Sequence, residues 1–63
     1  MKERMLKLMY KRKEARLTQQ QLGEKVGVKG KTIYAYECGE RRPSLKTLRK
    51  ISEVLGCTID EIV

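Results

Sequence analysis

The sequence has no histidine, no tryptophan, one proline and only two cysteines among its 63 residues. Without histidine it lacks both the commonest metal ligand and the commonest general base. Cys38 and Cys57 do not form a CxxC pair, so they make no zinc site, and neither a metal nor a cofactor is expected. They read as two reduced thiols, although the sequence leaves a disulfide open. There is no carboxylate cluster and no nucleotide-binding glycine loop, so the chain offers no catalytic residue and does not read as an enzyme. Long apolar runs are also missing. The longest is the four-residue Ile33-Tyr34-Ala35-Tyr36, followed by Leu8-Met9-Tyr10, and the opening MKERMLKLMYKRK is charged throughout. Neither a signal peptide nor a membrane span is therefore expected, and the reading is cytoplasmic.

Negative charge is in short supply: 8 Asp and Glu stand against 15 Lys and Arg, a formal net charge of +7. That balance calls for an anionic partner, either nucleic acid or the surface of an anionic membrane. Apolar residues make up 40% of the chain, enough for a core, so disorder is not expected despite 37% charged residues. A single small domain follows, spanning 1–63. A chain of this length buries only about 60% of the surface it exposes when unfolded, which leaves nothing for a deep catalytic cavity.

Apolar spacing predicts five short helices and no strand, an all-α bundle. The first is expected over 2–15, with Met1, Met5, Leu8 and Ala15 near one face and Arg12 beside them. Thr18 opens the second. Its hydroxyl and the Gln21 side chain make a capping box, Leu22 and Val26 form an i,i+4 apolar pair, and Gly27 ends the helix. The third is expected over 30–38, with Ile33 and Tyr36 inward and Gly39 as its stop. Ser44 caps the fourth, whose Leu45, Leu48, Ile51 and Leu55 form an amphipathic stripe ending at Gly56. Thr58 and Glu61 make a second capping box for a last helix over 59–63. Residues 1–16 carry seven Lys or Arg against two acids. They form either a solvated face or an attraction for DNA or an anionic membrane.

The informative stretch is 19–38, QQQLGEKVGVKGKTIYAYEC. It reads as two short helices joined by a three-residue turn containing glycine, which is the helix-turn-helix pattern. Leu22, Val26, Val28, Ile33 and Tyr36 supply the apolar set for a steep crossing. Gly23 removes a side chain where the two helices approach, and Gly27 supplies the turn.

These residues resemble the lambda-repressor/Cro-like helix-turn-helix family, also called the Xre family. The resemblance rests on Leu-Thr-Gln at 17–19, Leu-Gly at 22–23, Gly-Val at 27–28, Thr-Ile at 32–33 and Tyr-Glu-x-Gly at 36–39. Pro-Ser-Leu-x-Thr-Leu at 43–48 and Leu-Gly at 55–56 complete it. It implies a compact five-helix bundle that binds double-stranded DNA, with the third helix in the major groove and the second crossing the backbone. Residue by residue, it implies base reading by Lys29, Gly30, Lys31 and Ala35. Tyr34 is either a groove-side contact or an ordinary exposed tyrosine. The resemblance further implies phosphate contacts from Gln19, Thr32, Arg41 and Arg42, and a partly buried ion pair between Arg12 and Glu37.

The sequence departs from the family at four places. Lys29 stands where Ser or Thr usually caps the third helix, so that cap is expected to be missing. Gly30 stands where a base-reading side chain is common. Ala35 can offer only a methyl group, to thymine. Arg16 replaces the usual glycine after the first helix, at a cost of about 1 kcal/mol if it is left-handed. The expected function is a transcriptional regulator acting as a repressor, binding a palindromic operator as a homodimer, with no small-molecule ligand. The alternative is a protein-interaction module, such as an antitoxin or inhibitor subunit on the same fold.

Overall fold

The computed structural model describes residues 3–63. Four α-helices are present among them: α1 (Leu6–Glu14), α2 (Gln19–Val26), α3 (Gly30–Cys38) and α4 (Leu45–Leu55). The fifth expected helix is instead a single 3-10 turn, Ile59–Glu61. Glu61 N–H donates to Thr58 O at 3.1 Å and Ile62 N–H to Ile59 O at 3.0 Å. These i→i+3 bonds make the tighter turn that satisfies the backbone groups here. No strand occurs among the described residues.

The first helix is also shorter than its spacing suggests. Residues 3–5 are not helical, and α1 starts at Leu6 after Met5, whose side chain cannot cap it. The expectation for Met1 and Lys2 lies outside the described residues. Leu8 and Arg12 are buried and Met5 packs against the core, but Ala15 sits just past the helix and is exposed. Arg16 then takes φ 59°, the one positive-φ residue other than glycine among those described. This left-handed step turns the chain so that Leu17 N–H reaches back to Arg12 O at 3.2 Å.

Five side chains are completely buried: Leu8, Leu22, Ile33, Ile51 and Ile62. Each of the four helices gives one, and the last follows the 3-10 turn. Each such burial contributes about 1.5–3 kcal/mol, so every element is held by the same centre rather than by its own propensity. Val26 and Tyr36 close the cluster, with Leu17, Val28, Leu48 and Leu55 packed around it. In α4 the inward stripe is Leu48, Ile51 and Leu55. Leu45, expected on it, is 58% exposed because the first turn of the helix projects past the core.

Two glycines fix how α2 meets α3. A Cβ on Gly23 would lie 2.5 Å from Val28 O, the backbone of the turn. With that space empty, Gly27 N–H and Val28 N–H both donate to Gly23 O at 2.8 Å, and the turn folds tightly back on α2. A Cβ on Gly30 would lie 2.9 Å from Gln20 Cα, so the start of α3 leans directly on the start of α2.

Candidate nucleic-acid interface

The α2–α3 unit is tied to α1 by one buried polar cluster. Arg12 Nε donates to Glu37 Oε2 at 2.6 Å and its Nη2 to Oε1 at 3.1 Å. Both residues are buried, at 7% and 6% exposure. Arg12 Nη1 also donates to Leu17 O at 2.8 Å, which anchors the loop that α1 leaves behind. The fork of the guanidinium matches the carboxylate bidentately, the geometry that makes such pairs specific. Such a pair is weak evidence for net stability but strong evidence for a fixed arrangement, because separating the partners would strand a charge in the interior. No buried side-chain nitrogen or oxygen among the described residues lacks a partner.

Gln19 joins this cluster, its Nε2 donating to Glu37 Oε1 at 3.0 Å. The sequence did not signal this link. The two residues are 18 apart, and a glutamine at a helix start has many other uses. The capping box before it is complete. Gln21 N–H donates to Thr18 Oγ1 at 3.0 Å, and Thr18 N–H to Gln21 Oε1 at 2.8 Å.

The start of α3 is different. Lys29 is its N-cap residue and makes no side-chain cap bond, so the positive end of the helix dipole is left open beside two exposed lysines, Lys29 and Lys31. Gly30, between them, and Thr32, just after, are half-buried. A concavity of about 410 Å³ opens there, walled by Gln20, Glu24 and Val28 on the α2 side. Tyr34 is 51% exposed, whereas Tyr36 lies in the core at 6%. The Tyr34 hydroxyl is pushed above its ordinary pKa, chiefly by the neighbouring Cys38 and then by Glu40; Arg4 works the other way.

Ala35 does not suit the role expected of it. It is 8% exposed and packed on the inner side of α3, so almost none of its methyl remains for a base edge. Arg41 and Arg42 are exposed in the loop after Gly39. Arg42 Nη1 contacts Glu3 Oε2 at 2.8 Å, an exposed pair worth about 0–1 kcal/mol and readily exchanged for another anion. Cys38 and Cys57 are both free, and burial pushes the Cys57 thiol up. No group of His, Cys, Asp and Glu able to hold a metal ion occurs among the described residues, and no described helix is long and apolar enough to cross a membrane.

Two short helices around a glycine turn, the second presenting an uncapped basic end, define a helix-turn-helix protein. The Helix-turn-helix family model matches residues 8–62, and the chain belongs to that family, in its lambda-repressor-like (Xre) branch. It is 40% identical over 52 residues to the HTH-type transcriptional regulator YqaE of Bacillus subtilis, covering 82% of this chain and 45% of YqaE. It is 45% identical over 56 residues to the HTH-type transcriptional regulator MJ0272 of Methanocaldococcus jannaschii, covering 89% of this chain and 85% of that one. The cryptic phage CTXphi transcriptional repressor RstR of Vibrio cholerae is 34% identical over 56 residues, with 89% of this chain and 50% of RstR covered. The chain thus spans about half the length of two of these three relatives. No solved structure gives a significant match.

Proposed function

We propose that this domain binds double-stranded DNA sequence-specifically and regulates transcription, acting as a repressor by occupying its site. The observation that carries the reading is the contrast at the ends of the α2–α3 unit. The α2 start is capped by the chain itself, whereas the α3 start is bare, basic and exposed. A major groove offers what that end lacks: acceptors on base edges for Lys29 and Lys31. The names of its relatives support the regulatory role, and RstR supports repression.

In this reading Lys31 reads a base edge and Lys29 and Tyr34 line the groove. Gly30, with no side chain, admits the backbone closely. Gln19, Thr32, Arg41 and Arg42 hold phosphates, and Gln19 keeps one amide hydrogen for that purpose beyond its bond to Glu37. Two copies on a palindrome are the natural arrangement for repression. Selection of bound duplexes from a random pool, with a poly-anion competitor present, tests all of this. A defined, two-fold symmetric sequence is expected. Recovery of no sequence above the competitor background would contradict the reading.

A further inference from the structure

We propose that the groove between α1 and the α2–α3 unit is a phosphodiester site, in which Arg4 and Lys13 take the backbone of the same duplex that α3 reads. The inference rests on the DNA-binding reading and extends the contact surface to the first helix, outside the helix-turn-helix.

The groove holds about 350 Å³ and opens between Leu6 and Met9 on one wall and Tyr34 on the other. Charge decides what it can take. Arg4, Arg12 and Lys13 line it against one acid, Glu37. That acid is fully engaged, both its oxygens bonded to Arg12 and one of them also to Gln19. Arg4 and Lys13 have no carboxylate within ion-pair distance among the described residues. Two uncompensated cations therefore face one groove.

The other polar groups there are donors too. Gln19 has a second amide hydrogen, and the Tyr34 hydroxyl stands exposed on the rim, close enough to Arg4 to feel its charge. Apolar walls reduce the screening of these charges and strengthen their hold on an anion. A solvated surface would scatter such lysines and arginines; here they converge beside Gln19, at the start of the helix proposed to cross the backbone. A duplex offers a run of phosphates rather than one, so an anion held at Gln19 has neighbours along the strand to fill the groove.

The test uses a duplex selected by the wild-type protein and the double variant Arg4→Gln/Lys13→Gln. Both side chains are exposed, so the variant should melt with the wild type. Each cation–phosphate contact contributes about 0.9 to the slope of log affinity against log salt, so the slope should flatten by up to about 1.8 per bound copy. The sequence preference should stay the same. Walking a neutral methylphosphonate along the strand should reveal a position that weakens the wild type and leaves the double variant unaffected.

Parallel salt lines with identical methylphosphonate patterns would overturn the proposal and leave DNA binding intact. Failure of the wild type to select any duplex would overturn both. Inorganic phosphate that shifts the Lys13 and Tyr34 resonances, with the duplex slope unchanged in the variant, would assign the groove to a free phosphate and overturn the duplex assignment. So would a variant that loses binding to an acidic peptide while its duplex binding is unchanged.

Discussion

Helices α2 and α3 are nearly equal in length and both end at a left-handed glycine, Gly27 and Gly39. Their starts are opposites. At α2 the chain supplies both halves of a reciprocal capping box, and at α3 it supplies a lysine that caps nothing. The difference shows where local stability has been placed and where it has been withheld. The first helix of the unit needs only to be present and oriented, and its own side chains finish it. The positive end of the second is left open, and its position is held from elsewhere by Glu37, locked in the Arg12 fork. One nine-residue helix is thus anchored in its C-terminal half and bare at its N-terminal turn.

The anchor is where the comparison breaks most violently. Glu37→Ala leaves Arg12 buried without its partner, which costs about 3–5 kcal/mol, close to the whole stability of so small a domain. Thermal melting should show the variant largely unfolded at moderate temperature. Glu3→Ala, removing the exposed partner of Arg42, should change stability by about 0–1 kcal/mol. A Glu37→Ala melting temperature within a few degrees of wild type would mean the cluster does not hold α3.

The two helix starts can be exchanged in kind. Thr18→Ala removes a cap and should cost about 1 kcal/mol, and Lys29→Ser supplies one and should gain about as much. For a domain of this size each change moves the melting temperature by roughly 4–8 °C. The account expects the Lys29→Ser gain to come with weaker duplex binding. Gains in both stability and binding would show that the open end of α3 serves no ligand.

A smaller effect comes from the far end of the chain. The Glu61 carboxylate accepts from Thr58 N at 3.0 Å and from the Thr58 hydroxyl at 3.2 Å, and sits 3.5 Å from Lys11 on α1. The Thr58 bonds first, and Lys11 second, hold its pKa below the ordinary 4.5. A lowered folded-state value means that this stabilisation is complete above pH 4.5 and fades as the pH falls through the folded pKa. Glu61→Gln should therefore melt below wild type at neutral pH, with the gap closing in acid. A gap that stays constant with pH would remove Glu61 from the account.

Local features of this fold were legible in the sequence. The Thr18–Gln21 box, the Ser44 cap, the glycine stops and the missing cap at Lys29 depend on residues a few positions apart, and spacing reports them. So was the left-handed Arg16, through the glycine it replaces. The resemblance brought Arg12 and Glu37 together; spacing alone could not, since they are 25 residues apart. What escaped was set by packing. Leu45 and Ala15 carry the right residue types for the core, but the ends of their helices lie beyond its reach. Ala35 shares α3 with Lys31 but is buried. The link from Gln19 to Glu37 needs α2 packed on α3 before it exists.

The most direct measurement of the central claim is the binding of Lys31→Ala to a panel of duplexes that differ from the selected site by single base pairs. If the open turn of α3 reads bases, the variant loses discrimination at one or two positions, about 1–3 kcal/mol there, and keeps the wild-type pattern elsewhere. A uniform loss across the whole panel, with every preference intact, would make Lys31 a phosphate contact and contradict the account.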